Sequence, residues 1–339
     1  MKNKNIILLI ILLHSVISSF KIDPLKEFRI TGFAQGTNYH ITYYASEYKI
    51  SKEHTDSILQ SLDSSLSIYK TYSIISQFNL SEKGIQIDTH LQNVIKRSLE
   101  IYKASKGISD ITVYPLMQLW GFGTKSSDKD PSTADIQNTL LCIGSNKIHL
   151  KKNYLSKDKP CTKIDVNGIA QGYSVDIVAG FFDKMGIENY IVEIGGEIRV
   201  RGKNQSTNKN FRIGIESPSE NAADEPIINK ILQIESGAVT TSGNYRKFHE
   251  SNGKKISHLM DPKTGYPFQN EMISVTVWAK DAITADGYDN ALMGMGITKS
   301  FQFLKKHKEL EAYFIYHDKN GAIKDTATNG FTRLMLPKK

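Results

Sequence analysis

The chain has 339 residues, 40% of them hydrophobic and 23% charged, values of a globular protein and not of a disordered or low-complexity one. Forty-three Lys and Arg against 35 Asp and Glu give a formal charge of +8, a general attraction to anions. The lysines are scattered and form no basic stripe interleaved with aromatics, so composition gives no ground for nucleic-acid binding.

In chain order, Lys2 and Lys4 precede an apolar run over residues 6–13 and a small polar stretch over 15–19, the layout of a secretory signal. The run is short for a bilayer span. Residues 1–19 are therefore expected to be a signal peptide cut near Ser18 or Ser19, and residues 20–339 an exported domain, soluble or tethered only by its first residues. Alternation at Tyr39, Ile41 and Tyr43 predicts a strand after a turn at Gly36. Helical spacing of Ile58, Leu62, Leu66 and Tyr69 predicts a helix capped by Ser51. A second runs from about Thr89 to Ser105, capped by Asp88 or Thr89 and stopped at Gly107.

Residues 109–123 are dense in aromatics and end in Gly-Phe-Gly; the polar stretch 124–133 reads as a surface insertion. Residues 203–210 read as a hairpin tip and 217–226 as an exposed connection. Cys142 and Cys161 are the only cysteines. Export permits a disulfide between them, and two unpaired thiols stand as the alternative.

Residues 165–202 carry the densest signal. Ile169, Tyr173, Ile177, Phe181 and Met185 recur every four residues, predicting a helix with that stripe buried and Gly186 as its stop; residues 190–194 predict a buried strand. Asp165, Asn167 and Gly168 precede the helix, where free N–H groups suit a phosphate or a metal that carries one. A plain scaffold helix is the alternative. After the strand, Gly195 and Gly196 admit close backbone approach.

Residues 238–267 hold many small hydroxyl residues and glycines, too many turn formers for a long helix and too little hydrophobicity for a core strand. They read as a loop, either solvated or ligand-binding. A strand over 274–279 leads to a helix carrying Asp286, Asp289 and Asn290. There Asp286 and Asn290 lie one turn apart on one face, partly exposed, as two oxygen ligands for magnesium or as solvated polar groups. A terminal hairpin over 312–321 closes the chain.

Taken together, GFAQGTNYHI, LSIYKTYSIISQFN, GISDITVYPLMQLWGFG, DVNGIAQGYSVD with VEIGGEIRVRG, TTSGNYRKF, SHLMDPKTGYP and TADGYDNALMGMG resemble the ApbE family, the FAD:protein FMN transferases. The resemblance covers roughly residues 30–330. It implies an α+β fold, T-fold-like, with two mixed subdomains packed around a nucleotide cleft. It also implies Mg2+-dependent transfer of FMN from FAD to a Ser or Thr hydroxyl of a target protein through a phosphoester bond, with AMP released. Carried over by motif, Asp286 and Asn290 bind Mg2+ through side chains and Gly168 through its carbonyl. Tyr69, Asp110, Asp165, Gln171 and Met260 line the FAD site, with Gln35, Ile108 and Ser109 beside it. His258 takes the proton of the attacking hydroxyl, or only hydrogen-bonds phosphate.

The chain departs from the family pattern at four of these positions. The family usually has Met at Gln35, Phe at Ser109, Lys or Glu at Gln171 and Thr at Asn290. The implied acceptor is an exported or membrane-bound electron-transfer protein, such as a respiratory subunit, bearing Asp-x-x-Ser/Thr-Gly-Ala-Thr. The implied compartment is the periplasm or the periplasmic side of the inner membrane. The competing readings are an FAD pyrophosphatase giving FMN and AMP, and an exported flavin-binding protein without turnover.

Overall fold

In the computed structural model, residues 24–124, 130–217, 228–244, 248–251 and 254–337 are described. The expected signal, residues 125–129 of the polar insertion and residues 218–226 of the exposed connection lie outside them. The strands are β1 Lys26–Ala34, β2 Thr37–Ala45, β3 Gly84–Gln86, β4 Ile148–Lys151, β5 Tyr154–Lys157, β6 Asn189–Ile194, β7 Glu197–Arg201 and β8 Lys203–Asn204. They continue with β9 Lys209–Glu216, β10 Ile228–Ile234, β11 Ser236–Gly243, β12 Phe248–Ser251, β13 Lys254–Ser257, β14 Met272–Ala279, β15 Glu311–His317 and β16 Ile323–Ala327. The helices are α1 Lys52–Leu66, α2 Ile74–Leu80, α3 Thr89–Ala104, α4 Tyr114–Leu119, α5 Thr133–Leu140, α6 Asn167–Lys184, α7 Ala282–Leu304 and α8 Asn329–Leu334.

An eight-stranded sheet in the order β1-β2-β6-β7-β11-β14-β15-β16 organises the molecule, and every neighbouring pair in it is antiparallel. Side chains alternate across a strand, so each strand feeds two layers. Along β15, Phe314 enters the core shared with the long helices, while Tyr313 and Ile315 enter the core on the opposite face. That opposite layer is closed by Phe211, Ile213 and Ile215, alternate residues of β9, together with Phe331 of α8. The larger core runs without a break from Val275 and Val277 of β14 through Val175 and Val178 of α6 to Leu91 of α3 and Leu155 of the small β3-β5-β4 sheet. The α+β class is as expected, and one core joins its mixed parts.

Several local expectations meet the structure directly. Ser51 and Asp88 stand at the helix N-caps, Asp88 accepting from the Leu91 N–H at 2.9 Å. Gly107 and Gly186 adopt positive φ behind their helices, at 79° and 73°. Cys142 and Cys161 are joined in a disulfide across 19 residues. The β15–β16 hairpin is followed by α8, so it does not end the fold.

Two expectations are corrected. On α6 the four-residue stripe is buried only at its start: Ile169 and Tyr173 are buried, Ile177 and Phe181 are half-buried, and Met185 is 38% exposed. With 3.6 residues per turn, each four-residue step overshoots a full turn by about 40°, so the stripe winds off the contact face. The residues that stay on it include Gly172, Val175, Ala179 and Phe182. The second correction concerns residues 238–267, which do not form one loop. Ser236–Gly243 is the interior strand β11, paired to β7 and β14, with Ala238, Val239, Thr240 and Ser242 buried. It packs against α7 with Thr240 and Ser242 buried, so hydropathy is low at a buried position.

Candidate active site

Helices α6 and α7 cross so closely that glycine is required at Gly172. A Cβ there would stand 2.4 Å from the Ala282 carbonyl oxygen and 2.7 Å from the Asp286 Cβ. The approach lets the Gly172 N–H donate to Asp286 Oδ2 at 2.8 Å. One turn further along α6, Asp176 accepts from the Ala282 and Ile283 N–H groups at 2.9 and 2.8 Å, binding the positive end of α7, and pairs with Arg199 of β7. Asp281 completes that cap by accepting from the Thr284 N–H at 3.0 Å. Asp286 is therefore held from two directions before any ligand is considered.

Asp286 is 4% exposed and Asp289 1% exposed. The expectation of a partly exposed Asp286 is thus corrected: α7 packs against α6 on one side and against β11 and β14 on another, and its polar face turns inward. Burial pushes the Asp286 carboxyl up to about 7, with the charge of Asp176 adding to the effect and the Gly172 N–H opposing it. Burial, and then the charge of Asp286, push Asp289 well above the carboxylate range. Asn290 donates to the Gly168 carbonyl and to the Asp286 carbonyl, each at 3.2 Å, and accepts from Ser242 Oγ at 3.1 Å. Gly168 interrupts the first turn of α6 with non-helical angles, φ −83° and ψ 17°.

These groups form one wall of a cavity of about 460 Å3. Of the residues singled out in the sequence, Tyr69, Ile108, Ser109, Asp110, Asp165, Gly168, Gln171, His258, Met260, Asp286 and Asn290 all line it. Gln35 does not. Its side chain donates to Ser174 Oγ at 3.0 Å, at the β1–β2 turn, which brings it to α6 outside the lining.

Asp110 is committed to structure: it accepts from the Thr112 N–H and hydroxyl at 2.8 and 2.6 Å and from the Ser145 N–H and hydroxyl at 3.1 and 2.6 Å. Asp165 takes the Asn167 N–H at 2.8 Å, occupying one of the donors at the start of α6 itself. Gln171 donates to the Ile194 carbonyl at 2.8 Å and lies over Gly195, where a Cβ would stand 1.8 Å from its Nε2. Tyr69, 61% exposed, stands at the mouth beside Asp165 and Asn167. The half-buried His258 meets the Phe122 ring edge to face, with centroids 6.4 Å apart. Met260 is buried beside Trp120 and Phe122, a firm apolar end to the cavity.

Among the described residues no three acidic, histidine or cysteine side chains converge into a metal cage. A cation here would rest on carboxylate, carbonyl and amide oxygens with phosphate completing its shell, a donor set that suits magnesium. The buried carboxylates fit it, since a divalent cation would compensate charges that burial now penalises.

A family model described as the ApbE family matches residues 35–314. The chain belongs to the ApbE family. Curated relatives include the FAD:protein FMN transferase of Vibrio cholerae serotype O1, 36% identical over 280 residues that cover 80% of this chain and 83% of that protein. Another, from Haemophilus influenzae, is 33% identical over 311 residues, covering 88% and 89%. Among solved structures, flavin transferase ApbE from Vibrio cholerae superposes with a TM-score of 0.82 at 32% identity, covering 92% of this chain and all of that one. The apo flavinyl transferase ApbE of Pseudomonas stutzeri gives 0.82 at 30% identity, covering 93% and 98%.

Sequence reasoning passed over parts of this ApbE-family site. Asp289, Glu197, Ser242 and Phe122 line the cavity and were given no role in it. Gly172 is not a lining residue, yet the approach of the two helices depends on it. A small residue in the middle of a strongly helical run was its one visible signal. Ser242 was legible only as part of a stretch that looked like loop.

Proposed function

We propose that this chain transfers the FMN half of FAD to a serine or threonine hydroxyl of an acceptor protein, with Mg2+ bound and AMP released. The observation that carries the reading is the meeting of Asp286, Asn290 and the Gly168 carbonyl on one wall of a cavity that His258 and Tyr69 also line. The relatives' names supply the reaction class.

In this reading Asp286, Asn290 and Gly168 hold Mg2+, which supplies neutralisation of the diphosphate charge. Asn290 serves once its amide is turned, presenting Oδ1 to the Gly168 side; Ser242 Oγ then accepts from Nδ2 where it now donates to Oδ1. Of the N–H groups that open α6, Asn167 donates to Asp165 and Ile169 and Ala170 donate to the Val166 carbonyl, which leaves Gly168 to favour an anionic oxygen. Tyr69 offers a ring at the mouth, and Met260 with Phe122 an apolar end, for the rings of the substrate.

The acceptor oxygen attacks the flavin-side phosphorus and forms the new P–O ester bond. The bond from that phosphorus to the bridging oxygen breaks, and AMP leaves with the bridging oxygen. His258 takes the hydroxyl proton, a role suited to imidazole near neutral pH.

Export belongs to the same proposal. The Cys142–Cys161 disulfide is in keeping with an oxidising compartment, as is the signal-like N-terminus. No helix among the described residues is long and apolar enough to cross a membrane. We take the acceptor to carry Asp-x-x-Ser/Thr-Gly-Ala-Thr, as in exported or membrane-bound electron-transfer subunits.

The test is to incubate the chain with FAD, Mg2+ and a peptide bearing that motif and to weigh the peptide. A mass gain of FMN less water, with AMP released, is expected. Free FMN and AMP with unmodified peptide would replace the transferase by a pyrophosphatase, and no AMP at all would leave a flavin-binding protein.

A further inference from the structure

Among the described residues, Asp289 is a buried carboxyl whose surroundings do not account for it. It is 1% exposed, lines the cavity, and its Oδ1 has no hydrogen-bond partner among the described residues. The hydroxyl of Thr240, buried on the adjacent strand β11, lies beside the carboxyl and favours its charged form without making a well-aligned hydrogen bond to Oδ1. A buried carboxylate oxygen left unmatched is costly, and natural interiors keep few such atoms. Asp289 follows Asp286 by three residues on α7, so the two carboxylates occupy the same side of the helix, and Asn290 is its neighbour in the chain.

We propose that Asp289 is an additional protein ligand of the divalent cation, its Oδ1 completing the set formed by Asp286, Asn290 and the Gly168 carbonyl. The assignment rests on the magnesium reading above and goes beyond it. Two carboxylates neutralise a doubly charged cation, whereas Asp286 alone leaves a buried net charge of +1. The amide at Asn290 is a weaker anchor for a hard cation than a carboxylate, and a second carboxylate one residue away compensates for it. The site then holds Mg2+ in advance of the substrate, with phosphate oxygens and water filling the open positions.

The test measures cation binding itself. The chain is titrated with Mn2+, with free Mn2+ read by electron paramagnetic resonance, and with Mg2+ by calorimetry, each with and without FAD. For Asp289→Asn, the expected result is a loss of affinity of tenfold or more, together with unchanged or raised melting temperature in the absence of metal, because a carboxyl group disfavoured by burial beside Asp286 has become a neutral amide of the same shape. Affinity within twofold of the wild type would overturn the assignment and leave Asp289 a structural carboxyl group. If the asparagine variant does not fold, Asp289→Ser is read by the same criterion. Wild-type crystals soaked in Mn2+ decide without any variant: an anomalous peak within about 2.5 Å of Asp289 Oδ1 supports the proposal, and a peak on Asp286 alone refutes it. A wild-type chain that binds no divalent cation, with or without FAD, sinks the magnesium reading itself. That outcome is distinct from a wild type that binds and an Asp289→Asn variant that binds equally well.

Discussion

Replacing Gly172 by alanine tests whether the crossing of α6 and α7 sets the proposed cation site. The new Cβ would lie 2.4 Å from the Ala282 carbonyl oxygen and 2.7 Å from Asp286 Cβ, and the first of these neighbours is backbone that cannot rotate away. Restoring ordinary contact requires the helices to part by about 1 Å, an overpacking that costs about 1–3 kcal/mol. Alanine also returns about 1 kcal/mol of helix propensity, so net destabilisation is modest, about 0–2 kcal/mol. The larger effect falls on the site. Separation stretches the 2.8 Å bond from the Gly172 N–H to Asp286, a loss already within that overpacking cost, and moves Asp286 away from Gly168. We expect Mn2+ affinity and FMN transfer to fall at least tenfold, while thermal unfolding stays cooperative and shifts by only a few degrees. The assay is Mn2+ titration beside a melting curve on the same preparation. A variant with wild-type Mn2+ affinity would show that the helix approach does not govern the site.

Other outcomes follow from the same structure. His258→Ala should slow transfer about 10²–10⁴-fold with FAD affinity nearly unchanged, as measured by single-turnover kinetics and FAD titration; an equal loss in both would make His258 a binding residue only. Opening the Cys142–Cys161 disulfide, by reduction or by paired serine substitution, frees a loop of 19 residues and should lower stability by about 3 kcal/mol in urea unfolding. Lys157 is buried, with its Nζ at the Phe78 carbonyl and 4.9 Å from the Phe78 ring centroid; burial and then the charge of Lys163 push it down to about 8. The folded state releases that proton more readily than the unfolded chain, whose lysines titrate near about 10.4. Below about pH 8 both states carry the proton and the stability difference is flat; from there to about 10.4 the unfolded state binds more protons and stability rises. Lys157→Met should remove that rise relative to the wild type when unfolding is followed across the window.

The sequence was most legible where one residue type answers one local demand. Asp88 accepts an N–H at the start of α3, and Gly107 and Gly186 take positive φ where a helix must end. Such signals depend on near neighbours and survive without knowledge of the fold. The α6 stripe was legible for two turns and then misleading, because four-residue spacing only approximates the helical repeat and the true contact face is set by where α7 lies. Strand β11 was illegible for a stronger reason. Its Thr240 and Ser242 are buried, but against a helix whose inner face carries Asp286, Asp289 and Asn290, so neither partner bears the apolar pattern that betrays a core strand.

That mutual concealment has a physical cause. In the proposed cation site the carboxylates lie out of water, and the elements around them are closely packed and polar at that point. Gly172 supplies the narrowness: without a side chain there, α6 presents its backbone N–H to Asp286 directly. Asp176 supplies the remaining fixation by holding the N-terminus of α7, so the helix cannot slide to give Asp286 and Asp289 access to solvent. Both carboxylates are therefore kept in a position that is unfavourable for the empty protein and favourable once a divalent cation is bound. On this argument metal binding and stability are linked, and Mg2+ should raise the melting temperature of the wild-type chain without FAD. The rise should be smaller in Gly172→Ala and in Asp289→Asn, for different reasons: the first displaces a ligand, and the second removes one.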